Sequence, residues 1–90
     1  MTVADQFGVN LKRCRRRAGL SQEETSIRAS LHRTEIGYLE HGRRVARIDT
    51  LVQLMGALEV GADELLKGIE WLPGQTHDGR FAVPDKGASL

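Results

Sequence analysis

A single cysteine, Cys14, stands in a chain of 90 residues, so no internal disulfide can form and a reducing cytosol is the natural setting. No stretch approaches the roughly 18 apolar residues of a membrane span. Residues 1–8 lack the basic-then-apolar layout of a signal peptide. A cytoplasmic protein with no membrane partner is therefore expected. The three histidines, His32, His41 and His77, stand at no metal-ligand spacing with Cys14 or with a pair of carboxylates. No glycine cluster follows a strand, so no phosphate cradle is indicated. Cys14 itself falls on an apolar helical stripe, which reads as a small buried hydrophobe rather than a nucleophile. Enzymatic chemistry, a bound metal and a cofactor are all unexpected. Nothing alternates with period two before residue 69, which argues against a sheet there, and neither internal repeats nor low-complexity tracts occur.

What remains is an ordinary globular composition, with 40% apolar and 28% charged residues in a length suited to one domain. The net charge of +1 conceals a division. Residues 11–47 hold ten basic side chains against four acidic ones, whereas the rest of the chain holds three basic against eight acidic. A basic segment within one small domain points to a polyanion, nucleic acid first, although a solvated charged surface would read the same way.

The apolar spacing predicts five short helices. Phe7, Leu11, Cys14 and Ala18 form the stripe of the first, which Gly19 ends. Ser21 and Glu24 stand as a capping box that opens a second helix over residues 21–29. A third covers residues 32–41, with Ile36 and Leu39 inward. A fourth, residues 48–58, presents Ile48, Leu51, Val52, Met55 and Leu58 on one face. A fifth occupies residues 62–67. Helices this short are marginal alone, so mutual packing must hold them. From residue 69 the composition changes. The tail holds both prolines, Pro73-Gly74 marks a turn, and residues 80–83 offer at most one short strand. The expected division is thus 1–68 as a helical domain and 69–90 as a mostly extended tail, frayed after Pro84.

Two short helices joined by a tight turn inside the basic segment have the lengths of a DNA-binding helix-turn-helix. The residues Gly19-Leu20-Ser21-Gln22-Glu23-Glu24, then Leu31-His32-Arg33-Thr34, Ile36, Leu39-Glu40-His41-Gly42, Asp49-Thr50-Leu51 and Ala57-Leu58 make the chain resemble the Cro/phage-repressor (Xre) family of bacterial regulators over roughly residues 7–67. The resemblance implies an all-α, five-helix repressor-like domain that binds double-stranded operator DNA as a homodimer. It also implies that Gln22 clamps a phosphate and that Glu40 pairs with Arg15 from the first helix. Four positions depart from the family pattern. Ser30 replaces a turn glycine, Thr25 replaces a core leucine, Glu59 replaces a second glycine, and Ile27 is apolar at a solvent-facing position.

With Ile36 and Leu39 turned inward, the outer side of the third helix shows Arg33, Thr34, Gly37 and Tyr38, which are the candidates for base contact in the major groove. His32 either caps that helix or touches DNA. Arg43, Arg44 and Arg47 follow it, where the family runs beside the phosphate backbone. Lys12, Arg13, Arg16 and Arg17 read as a solvated face. Ile69, Trp71, Leu72, Phe81 and Val83 are the dimer candidates as a segment, although Trp71 taken alone is expected to pack on its own core. The expected function is a sequence-specific transcriptional regulator, read as a repressor. An antitoxin whose tail binds a protein partner, and a restriction-modification controller, stand as alternatives.

Overall fold

A computed structural model describes residues 1–84 of the chain. Five helices run in order, α1 (Val3–Arg17), α2 (Gln22–Ala29), α3 (Arg33–Glu40), α4 (Ile48–Leu58) and α5 (Ala62–Leu65). They are followed by two strands, β1 (Glu70–Leu72) and β2 (Arg80–Ala82). The expected fraying after Pro84 lies outside the described residues.

Side chains close the starts of the first three helices. Thr2 and Asp5 form a capping box on α1, and Ser21 and Glu24 form the anticipated one on α2. The ends of the first four helices share one backbone device. The amide of residue 20 bonds the Arg15 carbonyl, that of residue 31 the Ser26 carbonyl, that of residue 43 the Tyr38 carbonyl and that of residue 60 the Met55 carbonyl. Each such closure puts one residue in the left-handed region. Glycine fills it at Gly19 and Gly42, but Ser30 (φ 56°) and Glu59 (φ 54°) fill the other two. The two glycine replacements read from sequence are therefore backbone positions that glycine suits better.

The core joins Phe7, Leu11 and Cys14 of α1 to Ala29, Ile36, Leu39, Leu54, Ala57, Leu58 and Leu65. Helix α3 packs on both α1 and α2, α4 packs on α2, and α5 lies against α1 and α4. The close approach of α1 to α3 depends on Gly8, where an added Cβ would stand 2.5 Å from the Leu39 carbonyl oxygen and 2.6 Å from that of Glu40. Asn10, wholly buried, ties α1 to the α5 end by donating to the carbonyls of Leu65 and Lys67. Thr25 occupies its core position with the hydroxyl satisfied by the Ser21 carbonyl.

Three expectations need correction. Ala18 does not extend the α1 stripe; it is the exposed C-cap of that helix. On α4 the inward residues are Thr50, Leu54, Ala57 and Leu58, while Ile48 and Val52 are 81% and 58% exposed. The helix is apolar around most of its circumference, so periodicity alone does not centre the inward stripe. Finally, the tail is not merely extended. Strands β1 and β2 pair antiparallel with Trp71 opposite Phe81, so the fold is five helices plus a small two-stranded sheet. Three-residue strands are too short to show alternation. Their loop is fixed by Asp78, whose carboxylate accepts from the amides of Gln75 and Thr76 and is held below the ordinary carboxylate range by them.

Candidate nucleic-acid interface

The start of α2 and the outer face of α3 enclose an open groove of about 700 Å³. The same turn that closes α2 through Ser30 sets the angle between these helices, and α3 is then fixed from behind. Arg15 reaches across from α1 and grips Glu40 with two nitrogens, Nε at 2.5 Å from Oε2 and Nη2 at 3.0 Å from Oε1. Its remaining Nη1 donates to the Leu20 carbonyl. Glu40 is almost wholly buried at 2% side-chain exposure. Its carboxylate bonds raise the Arg15 guanidinium above its ordinary pKa, with burial working the other way.

Gln22 joins this network, donating from Nε2 to Glu40 Oε1 at 3.1 Å. An amide nitrogen has a second hydrogen, and no other acceptor within bonding distance takes it among the described residues. The pair Arg15–Glu40 is thus present as the resemblance implied, and it holds the Gln22 side chain at the mouth of the groove.

Of the other candidates, Arg33, Thr34, Gly37, Tyr38 and Arg43 line the groove with Gln22. A Cβ on Gly37 would meet only the Gln22 amide oxygen, at 3.9 Å, so the α3 backbone is open to approach there. Arg33 is exposed and lies 4.0 Å from Glu23. His32 is the N-cap of α3: its Nδ1 accepts from the Thr34 amide and lies 2.7 Å from the Thr34 hydroxyl. Arg43 and Arg44 both approach the Tyr38 ring, their guanidinium carbons 5.8 and 4.7 Å from its centroid. Arg44 also bonds Glu35 at 2.9 Å. Arg47 stands apart from the groove, as the N-cap of α4 beside Asp49.

His41, absent from the candidates drawn from sequence, also lines the groove, with its Nδ1 2.8 Å from the Gly37 carbonyl. Its spacing of four from Gly37 and three from Tyr38 is the signal that puts it on the same face. The solvated face also needs revision. Arg17 and Arg13 gather at Glu64, at 3.0 and 3.8 Å, and Arg13 bonds the Glu64 carbonyl and Asn10 as well. These two brace α1 to α5, and the Arg17 hydrogen bond lowers the pKa of Glu64.

The dimer candidates divide. Ile69 packs half-buried against the core, and Leu72 and Val83 are half-buried. Trp71 and Phe81 are 56% and 57% exposed and stack edge to face on each other, so Trp71 does not enter the domain's own core. A second apolar surface, not evident in the sequence, combines Val45, Ile48 and Val52 beside a small hollow that Leu51, Leu66 and Ile69 help to line. Among the described residues no group of three or more His, Cys, Asp or Glu could hold a metal ion, and no helix is long and apolar enough to cross a membrane.

Comparison with known proteins agrees with this geometry. A family model described as a helix-turn-helix domain matches residues 6–67. The HTH-type transcriptional regulator y4dJ of Sinorhizobium fredii, itself uncharacterized, is 38% identical over 73 residues, which cover 81% of this chain and 95% of that one. Among solved structures, the restriction-modification controller protein C.AhdI from Aeromonas hydrophila superimposes with a TM-score of 0.67 at 32% identity, covering 69% of this chain and 94% of its own. The hypothetical transcription factor NHTF from Neisseria does so with a TM-score of 0.68 at 28% identity, covering 72% and 75%.

Proposed function

This chain belongs to the helix-turn-helix domain family and is a DNA-binding transcriptional regulator of the Xre type, and from that premise we propose that it is a repressor acting as a dimer on a two-fold-related operator. The observation that carries the reading is the groove itself. Helix α3 is held from behind by the Arg15–Glu40 pair and turns Arg33, Thr34, Gly37 and Tyr38 outward beside the start of α2.

In this reading α3 lies in the major groove, and Arg33 forks onto a guanine while Thr34 and Tyr38 meet neighbouring bases or a thymine methyl. Gln22, together with the outward amides of the first turn of α2, takes a phosphate. Arg43 steadies the complex on the backbone without reading sequence. His32 serves chiefly to start α3, and Arg47 adds only diffuse attraction. Repression follows from occupancy, with no chemistry.

One such helix reads only a few base pairs, so two copies about one helical turn apart are needed for a specific site. The surfaces left to join them are the Trp71–Phe81 pair and the Val45–Ile48–Val52 face. Selection of binding sites from random duplexes tests the proposal. Enrichment of an inverted repeat with half-sites about 10 base pairs apart supports it; recovery of no common sequence overturns it.

A finer reading, control of a restriction-modification system, is supported by the likeness to C.AhdI. A methyltransferase or endonuclease gene beside this one, with the selected site upstream of either, is the observation that favours it.

A further inference from the structure

We infer that Glu35 is a specificity-determining positioning residue, which withholds Arg44 from the phosphates of arbitrary DNA and releases it only when α3 is seated. The inference rests on the DNA-binding reading above and concerns how that surface distinguishes an operator from other sequences.

Three arginines on or near the face are matched with carboxylates, and the three pairs differ in quality. Arg33 lies 4.0 Å from Glu23 and Arg47 lies 3.3 Å from Asp49, with the carboxylate side chains 66% and 59% exposed. Arg44 lies 2.9 Å from Glu35, whose side chain is only 24% exposed. The same guanidinium also rests 4.7 Å from the centre of the Tyr38 ring. Glu35 and Tyr38 are one helical turn apart and share a side of α3, so Arg44 folds back from the link after α3 across both. A charge-assisted hydrogen bond and a cation–π contact therefore hold one side chain. Arg43, its neighbour, has no carboxylate within 4.0 Å among the described residues.

The consequence is electrostatic. Sequence-independent binding is driven by cations that displace counterions from phosphates. An arginine already neutralised by a carboxylate contributes little to it. A loosely held duplex leaves Arg44 on Glu35, whereas a seated α3 brings the link against the backbone, where a phosphate can replace the carboxylate. Arg43 then strengthens binding to any DNA and Arg44 strengthens binding to the operator.

The test is a double-mutant cycle read by fluorescence anisotropy on the selected duplex and on a scrambled duplex of equal length. Glu35→Gln should raise affinity for the scrambled duplex about three- to tenfold and steepen its salt dependence by about one unit, with a smaller change on the selected duplex. Arg44→Ala should weaken the selected duplex and leave the scrambled one nearly unchanged. In the Arg44→Ala background, Glu35→Gln should have no effect. An equal gain on both duplexes, or a gain that persists without Arg44, overturns the inference, because Glu35 would then act through its own charge alone. Discrimination by the wild type with no coupling between the two residues overturns this inference and leaves the DNA-binding reading standing. Failure of the wild type to bind either duplex overturns both.

Discussion

Arg15 on α1 and Glu40 at the end of α3 form a two-pronged ion pair that spans 25 residues of sequence and joins the back of the recognition surface to the core. The same Glu40 oxygen that receives Arg15 Nη2 also receives the Gln22 amide, so one buried carboxylate orients both a helix and a groove side chain.

Glu40→Ala leaves the partly buried Arg15 guanidinium without its anion and should destabilise the domain by about 2–4 kcal/mol. Gln22→Ala removes only the outer bond of the network and should leave stability nearly unchanged while weakening DNA binding. Urea unfolding of the two variants measures the difference. Equal stability losses would mean that Gln22 is a structural residue.

Gly8→Ala should cost about 1–3 kcal/mol, since the new methyl meets the backbone carbonyls of α3 and only a helix displacement can relieve it. Thermal unfolding checks this. Because the shift moves α3, affinity for the selected duplex should fall as well, although Gly8 is not among the residues that line the groove.

Ser30→Gly should have the opposite sign. Ser30 holds φ at 56°, where a side chain is disfavoured by about 1–2 kcal/mol. Relief of that strain, reduced by the extra freedom of glycine in the unfolded chain, should stabilise the protein by about 0.5–1 kcal/mol. A lower melting temperature for Ser30→Gly would contradict it.

Those strained positions are legible in the amino-acid sequence because Ser30 and Glu59 interrupt a pattern in which glycine is the natural occupant. The capping box at Ser21 and Glu24 is legible for the same kind of reason: its bonds are local and its spacing is fixed by helix geometry. Helix α4 is legible only in part. Its apolar residues mark it as a helix, but with Ile48, Leu51, Val52, Leu54, Met55 and Leu58 distributed around the axis, only tertiary packing decides that Thr50 and Leu54 face inward. The hairpin is legible only in its turn at Pro73-Gly74 and its second strand; β1 and the pairing of Trp71 with Phe81 leave no periodicity, because they rest on the Asp78 loop and on a contact between two three-residue strands. At the groove, the outward set on α3 follows from placing Ile36 and Leu39 inward. The bonds from Arg44 to Glu35 and from Arg13 to Glu64 connect residues whose proximity depends on the path of the chain, and charge counting alone cannot pair them.

Self-association should depend on the two exposed apolar surfaces. Sedimentation of a Trp71→Ala/Phe81→Ala variant and of an Ile48→Ser/Val52→Ser variant separates them, and each should shift the protein toward monomer at a given concentration. A variant that sediments like the wild type excludes its surface from the dimer.

Base reading by the outer face of α3 rests above all on Arg33. The direct measurement is the affinity of wild type, Arg33→Ala and Arg43→Ala for the selected duplex and for duplexes substituted one base pair at a time. Arg33→Ala should lose about 1–3 kcal/mol on the selected duplex and relax preference at one position, while Arg43→Ala should weaken all duplexes alike and lower the salt slope by about one unit. A uniform loss for Arg33→Ala, with every base preference intact, would contradict it.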